Sequence, residues 1–330
     1  MRWLRAAGIA LLALAALALL GWEVLALWID GPRSRALAGA LASLLVLASA
    51  SLGRRARRSR AARLGLVLLP CAVLGWWLSL EPRLDRDWAP EYAELPRASL
   101  EGNRITFHNV RNFHYRSESD YDERWETRRF DLAQVHALDL FFSHWGSPWI
   151  AHTILSWQVE GEAPLAISIE TRRERGERYS ALLGFFRQFE LYSVVADERD
   201  VIQLRTSVRG EQVFHYRLDV SPETARKLLR VYAEGMNRLA LEPRWYHALT
   251  QNCTTTIRLL VLAAGIPAPF DWRVLANGRL PELLLERGAI ASELPFEELR
   301  ARSDVTQRGR DAGDAADFSA RIRTGRDRAR

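Results

Sequence analysis

The sequence predicts an α+β protein: apolar N-terminal helices, then a domain with an antiparallel sheet and a cysteine-bearing helix. Three observations predict it. Long apolar runs crowd residues 1–80, strand-like segments fill 105–220, and helical periodicity with caps takes over after Ser221.

The apolar runs are 6–28, "AAGIALLALAALALLGWEVLALW", 36–52 and 64–80. A spanning helix takes about 17–25 residues, so all three qualify, the second and third at the lower limit. Arg2 and Arg5 ahead of the first run also fit a signal peptide. Two further runs directly behind it favour an anchor of three transmembrane helices over 1–80. The net charge is +6, from 46 basic and 40 acidic residues, and the excess lies near the N-terminus. It therefore bears on orientation before nucleic acid, and no nucleic-acid partner is expected. Arg54, Arg55, Arg57, Arg58, Arg60 and Arg63 crowd the second loop, whereas the first has only Arg33 and Arg35. The positive-inside rule puts the N-terminus and second loop in the cytoplasm, and everything after Leu80 outside.

Residues 81–100 hold three prolines and read as a linker to a domain over 101–300. Strands are expected at 105–110, 135–142, 149–159, 163–170, 191–196, 201–208 and 212–220. "EGE" and "RGE" supply hairpin turns. Ser221 and Pro222 open a helix whose Leu228, Leu229, Tyr232, Met236 and Leu239 recur at helical spacing. Asn252 is a good N-cap for a second, closed by Gly265 and Pro267. Residues 301–330 carry many charges and few apolar side chains, and are expected to be disordered.

Cys253, in "QNCTTTIRLL", is one of two cysteines; the other, Cys71, lies in an apolar run. Outside the cytoplasm an unpaired thiol is at risk. A free cysteine is commonly a small buried hydrophobe, and that reading stands beside a sharper one. At the first turn of a helix, unpaired amides and the dipole favour a thiolate, and the same amides can hold an oxyanion. The base would come from seven histidines. His152 stands in a strand whose hairpin partner ends in Glu170, and a tight turn at 160–163 sets 152 opposite roughly 170–171. Glu170 can then orient the imidazole. Asn252, Thr254 and Arg172 are the candidates for substrate or oxyanion contact, and Arg205 for a neighbouring strand. Glu174, Glu177, Asp197 and Asp200 read as a solvated face. No histidine or cysteine pair has metal-ligand spacing and no Gly-rich phosphate loop is present, so neither metal nor cofactor is expected.

The stretch from about 100 to 265 resembles a bacterial family known as domain of unknown function 4105, the periplasmic domain of Lnb-type lipoprotein N-acyltransferases. The pieces that carry the resemblance are "NVRNFHYRS", "AHTILSW", "SIETRRERGERYS", "GFFRQFELYSVVADERDVIQLRT" and "WYHALTQNCTTTI". It implies that Cys253 and His152 are the catalytic pair. The order of histidine strand before cysteine helix also looks like the permuted papain-like (NlpC/P60-like) enzymes. The asparagine–cysteine step is similar to that of the lecithin:retinol acyltransferase family. What the resemblance implies is a thiol acyltransferase, with a membrane phospholipid as donor and a diacylated lipoprotein as acceptor, in a bacterial inner membrane with the domain periplasmic. The family's characterised enzyme carries its membrane helices after the domain, whereas here they come first. Two rivals stand beside this reading: a cysteine amidase or peptidase acting on cell-wall peptides, and a non-enzymatic envelope protein.

Overall fold

Three apolar stretches, the second and third opened by serine caps, become three helices. In the computed structural model, which describes residues 2–290 and 292–324, these are α1 (Arg2–Ile29), α2 (Arg35–Arg55) and α3 (Arg60–Leu78). Ser34 and Ser59 each accept a first-turn amide, from Leu37 and Ala62, which fixes where α2 and α3 begin. All three are long and apolar enough to cross a membrane, and little of each is covered by the protein itself. They form one compact unit together with 179–189. Within it Asp30, at the end of α1, accepts bonds from Trp77 Nε1 (2.7 Å), Gln188 Nε2 (2.7 Å) and the Arg187 amide (3.2 Å).

The second unit holds 85–178 and 190 onward. Its strands are β1 (Arg97–Glu101), β2 (Arg104–Arg111), β3 (His114–Tyr115), β4 (Tyr121–Asp122), β5 (Trp125–Asp131), β6 (Val135–His144), β7 (Ala151–Val159), β8 (Leu165–Arg172), β9 (Glu190–Asp197) and β10 (Gln212–Arg217). Its helices are α4 (Glu198–Gln203), α5 (Pro222–Leu241), α6 (Cys253–Ala263), α7 (Leu280–Glu286), α8 (Phe296–Ser303), α9 (Thr306–Ala312) and α10 (Phe318–Arg321). The main sheet runs β1-β2-β9-β8-β7-β6-β10, with β5 beside β2. It is antiparallel except where β2 meets β9 in parallel, so the sheet is mixed rather than wholly antiparallel.

Both faces are covered. Leu155, Trp157, Ile167 and Val195 face a core closed by α5 and α6, and Trp157 Nε1 donates to the Ala225 carbonyl at 2.9 Å. Their neighbours Ile154, Ala166 and Val194 face a second core with Val201, Val305, Phe318 and Ile322. That second core overturns three expectations. Residues 201–208 are helical, not a strand: Asp197 caps the Arg199 amide and starts α4, which runs on into a wider turn through Val208. Its side chains are buried nearly all round, and such a run has no periodicity to separate strand from helix. The 301–324 part of the expected disordered tail is folded, because its few apolar residues, Val305, Ala312, Phe318 and Ile322, are those that pack; 325–330 lie outside the described residues. The 81–100 linker is also largely integrated: Tyr92 is buried in this core and Arg97–Glu101 is β1.

Candidate active site

Position 252 has extended backbone and position 253 begins α6. The Asn252 carboxamide oxygen accepts the Thr255 amide at 2.9 Å, and Thr255 Oγ1 accepts the Asn252 amide at 2.9 Å. The Asn252 Nδ2 donates to the Ala248 carbonyl at 2.6 Å. This side chain, expected at substrate or oxyanion, is engaged in the cap. The cap places the Cys253 thiol at the positive end of the helix.

The β7–β8 ladder ends at Ile154↔Ser168, whereas β8 goes on pairing with β9 to Arg172↔Glu190. The strands part at this point, and the first turn of α6 stands in the gap. Cys253 Sγ lies 3.7 Å from Thr254 Oγ1 and 3.8 Å from Asn277 Nδ2, and the His152 ring and the Thr153 N–H act on it electrostatically. Extending the register by two residues sets His152 opposite Glu170.

His152 does not rest on Glu170 alone. Its Nε2 lies 2.5 Å from Ser168 Oγ and 3.5 Å from Glu170 Oε1. Ser168 Oγ donates to Glu170 Oε1 at 2.9 Å, so its hydrogen is committed and Nε2 must carry the proton between ring and hydroxyl. That leaves Nδ1 for the thiol. Arg205 Nη2 holds the same Glu170 oxygen at 3.1 Å. A four-membered line results: thiol, imidazole, carboxylate bridged by a hydroxyl, guanidinium.

The electrostatics follow from that line. Burial works against an ionised Glu170, but His152, Arg205 and Arg111 outweigh it and hold its pKa well below the usual carboxylate range. Burial and Arg205 both oppose a proton on His152, yet Cys253 and Glu170 raise its pKa. Burial also opposes a Cys253 thiolate, and the His152 ring, Thr254 and the Thr153 amide overcome it and lower the thiol's pKa. Both shifts favour a thiolate–imidazolium pair.

Two residues here carried no sequence signal. Ser168 is one. The other is Asn277, buried in the turn before α7: its Oδ1 accepts the Ala151 amide at 2.8 Å, and its Nδ2 donates to the Ala151 carbonyl and to Thr254 Oγ1 (2.7 Å). It ties the start of β7 to the first turn of α6 and so sets the spacing of His152 and Cys253. Thr254, expected at the oxyanion, has its hydroxyl in this clamp.

Arg172 is not at the site. Its Nε and Nη2 donate to the carbonyls of Tyr92 and Ala93, and its guanidinium stacks on Trp88 at 4.2 Å. Nor is Asp200 part of a solvated face. It is fully buried, taking Arg111 Nη2 at 2.8 Å and the Phe113 amide at 2.6 Å. Arg172 ends β8 and Asp200 lies in α4, which packs in the second core; each charge is buried by tertiary packing and finds a partner. Among the described residues no cluster of histidine, cysteine and carboxylates could hold a metal ion.

Residues 121–278 match the family model described as the Lnb N-terminal periplasmic domain. The matched stretch contains His152, Ser168, Glu170, Arg205, Cys253 and Asn277. No curated protein and no solved structure matches the chain.

Proposed function

Because residues 121–278 belong to the Lnb-type periplasmic domain family, we propose that this chain is a membrane-anchored thiol acyltransferase of permuted papain-like design. It takes an acyl chain from a phospholipid and passes it to an amine, the N-terminal cysteine of a diacylated lipoprotein being the acceptor. The observation that carries this reading is that Cys253, at the first turn of α6, is clamped through Thr254 and Asn277 to the start of the strand that bears His152. That ring is backed by Ser168, Glu170 and Arg205, in a chain that also holds three helices apolar enough to cross a membrane.

In the first half-reaction the Cys253 thiolate attacks a phospholipid ester carbonyl. A C–S bond forms, the ester C–O bond breaks, and the His152 imidazolium gives its proton to the departing glycerol oxygen. First-turn amides of α6 are the donors available to the oxyanion. In the second, a neutral amine attacks the thioester carbonyl, now neutral His152 takes a proton from the nitrogen, and the C–S bond breaks to restore the thiolate. Glu170, through Ser168, stabilises the imidazolium at each stage, and Arg205 keeps Glu170 ionised. The anchor keeps donor and acceptor lipids beside the thiol, which raises their effective concentration.

The test is the intact mass of the full-length protein in detergent after incubation with phospholipid, beside Cys253→Ala. An acyl-sized adduct on the wild type alone, released by neutral hydroxylamine, is expected. If no phospholipid donor leaves an adduct, acyl transfer from lipid fails, and the amidase or peptidase reading with cell-wall peptides takes its place.

A further inference from the structure

Exposed apolar side chains form a rim on two segments that meet just ahead of β7, the strand of His152, and the chemistry above does not use them. The β6–β7 loop contributes Trp145, Trp149 and Ile150, and the α6–α7 segment contributes Phe270, Trp272 and Leu275, all among the exposed large apolar side chains. Trp149, Phe270 and Trp272 are 53%, 61% and 55% exposed, values typical of residues awaiting a partner rather than of a closed core. Trp149 and Trp272 lie together, ring centroids 6.3 Å apart.

The rim is bolted to the candidate catalytic pair. The Gly278 amide donates to the Trp149 carbonyl at 2.9 Å, next to Asn277, which binds both backbone groups of Ala151. The approach is so close that a Cβ on Gly278 would lie 2.2 Å from the Pro148 carbonyl oxygen. Trp149 is thus three residues from His152 in sequence and fixed against the turn that positions Cys253. Arginine accompanies the aromatics. Arg279 lies over the Trp149 ring at 5.8 Å and Arg258 over Phe270 at 5.9 Å, and Arg258 has no carboxylate partner among the described residues.

We propose that this rim is a bilayer-docking surface. It seats in the headgroup region of the membrane that holds α1–α3 and sets the mouth of the site against the lipid. Tryptophan with arginine is the composition that settles at a membrane–water interface, rings at the acyl boundary and guanidinium groups on lipid phosphates. A surface of this kind sinks about 5–10 Å into the headgroup–acyl boundary. The same chain carries the spans that keep a bilayer within reach, which favours a lipid occupant over a glycan. The purpose of the surface rests on the acyl-transfer reading, but lipid contact itself does not.

The experiment uses the full chain in nanodiscs of phosphatidylethanolamine and phosphatidylglycerol. In a Cys71→Ser, Cys253→Ser background, Trp272→Cys carries an environment-sensitive fluorophore. Glu160→Cys, at the far end of β7, is the control. Lipid with a nitroxide near the headgroup is expected to quench the Trp272 label strongly and the Glu160 label little, and a second label at Trp149→Cys should behave like the first. Equal quenching at the rim and at Glu160 overturns the proposal. So does a rim label that ignores the nitroxide but shifts with soluble muropeptides, an outcome that assigns the rim to cell-wall glycan. Because the site thiol is absent throughout, a failure of acyl transfer leaves this result untouched.

Discussion

His152 is separated from the other histidines by what stands behind its ring. His247 accepts the amides of Leu249 and Thr250 and shapes a turn. His215 has a carboxylate too, Asp139 at 3.1 Å, but its ring stacks on Phe141. Only around His152 do a thiol, a hydroxyl and a carboxylate held by arginine converge among the described residues. The Cys253 thiol pKa is lowered chiefly by that ring, against burial. Alkylation by iodoacetamide follows the thiolate, so in a Cys71→Ser background it should persist well below the ordinary thiol pKa of about 8.5. It should fall only as acid protonates the sulfur. In His152→Ala the opposing burial dominates, and half-maximal reaction should move to higher pH. Mass-spectrometric alkylation rates against pH decide this; identical profiles for the two proteins would mean that the ring does not hold the thiolate. The pairing of 152 with 170 was legible, since a hairpin turn counts residues on both sides. Ser168 and Asn277 were not. Ser168 matters only because it lies on the same sheet face as both partners, and Asn277 reaches Thr254 from 23 residues away, across a turn without periodicity.

At the scale of elements, the readable parts were those with a local signal. Ser221 and Pro222 start α5, and Asn252 starts α6, by bonds made within three residues. The parts misread depend on distant partners. α4 and the segments α8 to α10 close the second core, and Arg323, just beyond α10, joins it to the sheet. Its Nη2 meets Asp139 at 2.8 Å and Glu198 at 2.5 Å, and both carboxylates are fully buried. Burial would discourage either charge, but His215, Arg217 and Arg323 hold Asp139, and Arg323 and Ser156 hold Glu198, below their usual ranges. Arg323→Ala removes the ion-pair partner of buried Glu198 and one of three from Asp139, and should cost about 3–5 kcal/mol. The sign with pH follows. Both native pKa values are depressed, so the wild type gains this stability above the unfolded carboxylate values of about 4 and loses it as pH falls below them. The gap between variant and wild type should therefore be widest near neutral pH and shrink in acid. Thermal melting of the two proteins in detergent, followed by tryptophan fluorescence, measures it. Equal melting temperatures near neutral pH would mean that 301–324 is dispensable to the domain.

For the whole molecule the open quantity is which side of the membrane the domain occupies, and it decides what the thiol can meet. If the three helices of about 19–28 residues all span, an odd number of crossings is expected to put the N-terminus and the domain on opposite sides. The last turn of α2 ends in Arg54 and Arg55, and with Arg57, Arg58, Arg60 and Arg63 these concentrate positive charge between α2 and α3. By the positive-inside rule a loop this basic is expected in the cytoplasm, and the prediction is a domain outside. A C-terminal alkaline phosphatase fusion, active only after export, should then be active, and a green fluorescent protein fusion at the same point dark. Replacing the six loop arginines by glutamine removes the bias, leaving Arg33 and Arg35 as the competing pair, and phosphatase activity should fall as part of the population inverts. The opposite pattern in the unmodified chain would place Cys253 in a reducing compartment. There a free thiol needs no explanation, and lipoprotein amines displayed on the outer leaflet are beyond its reach.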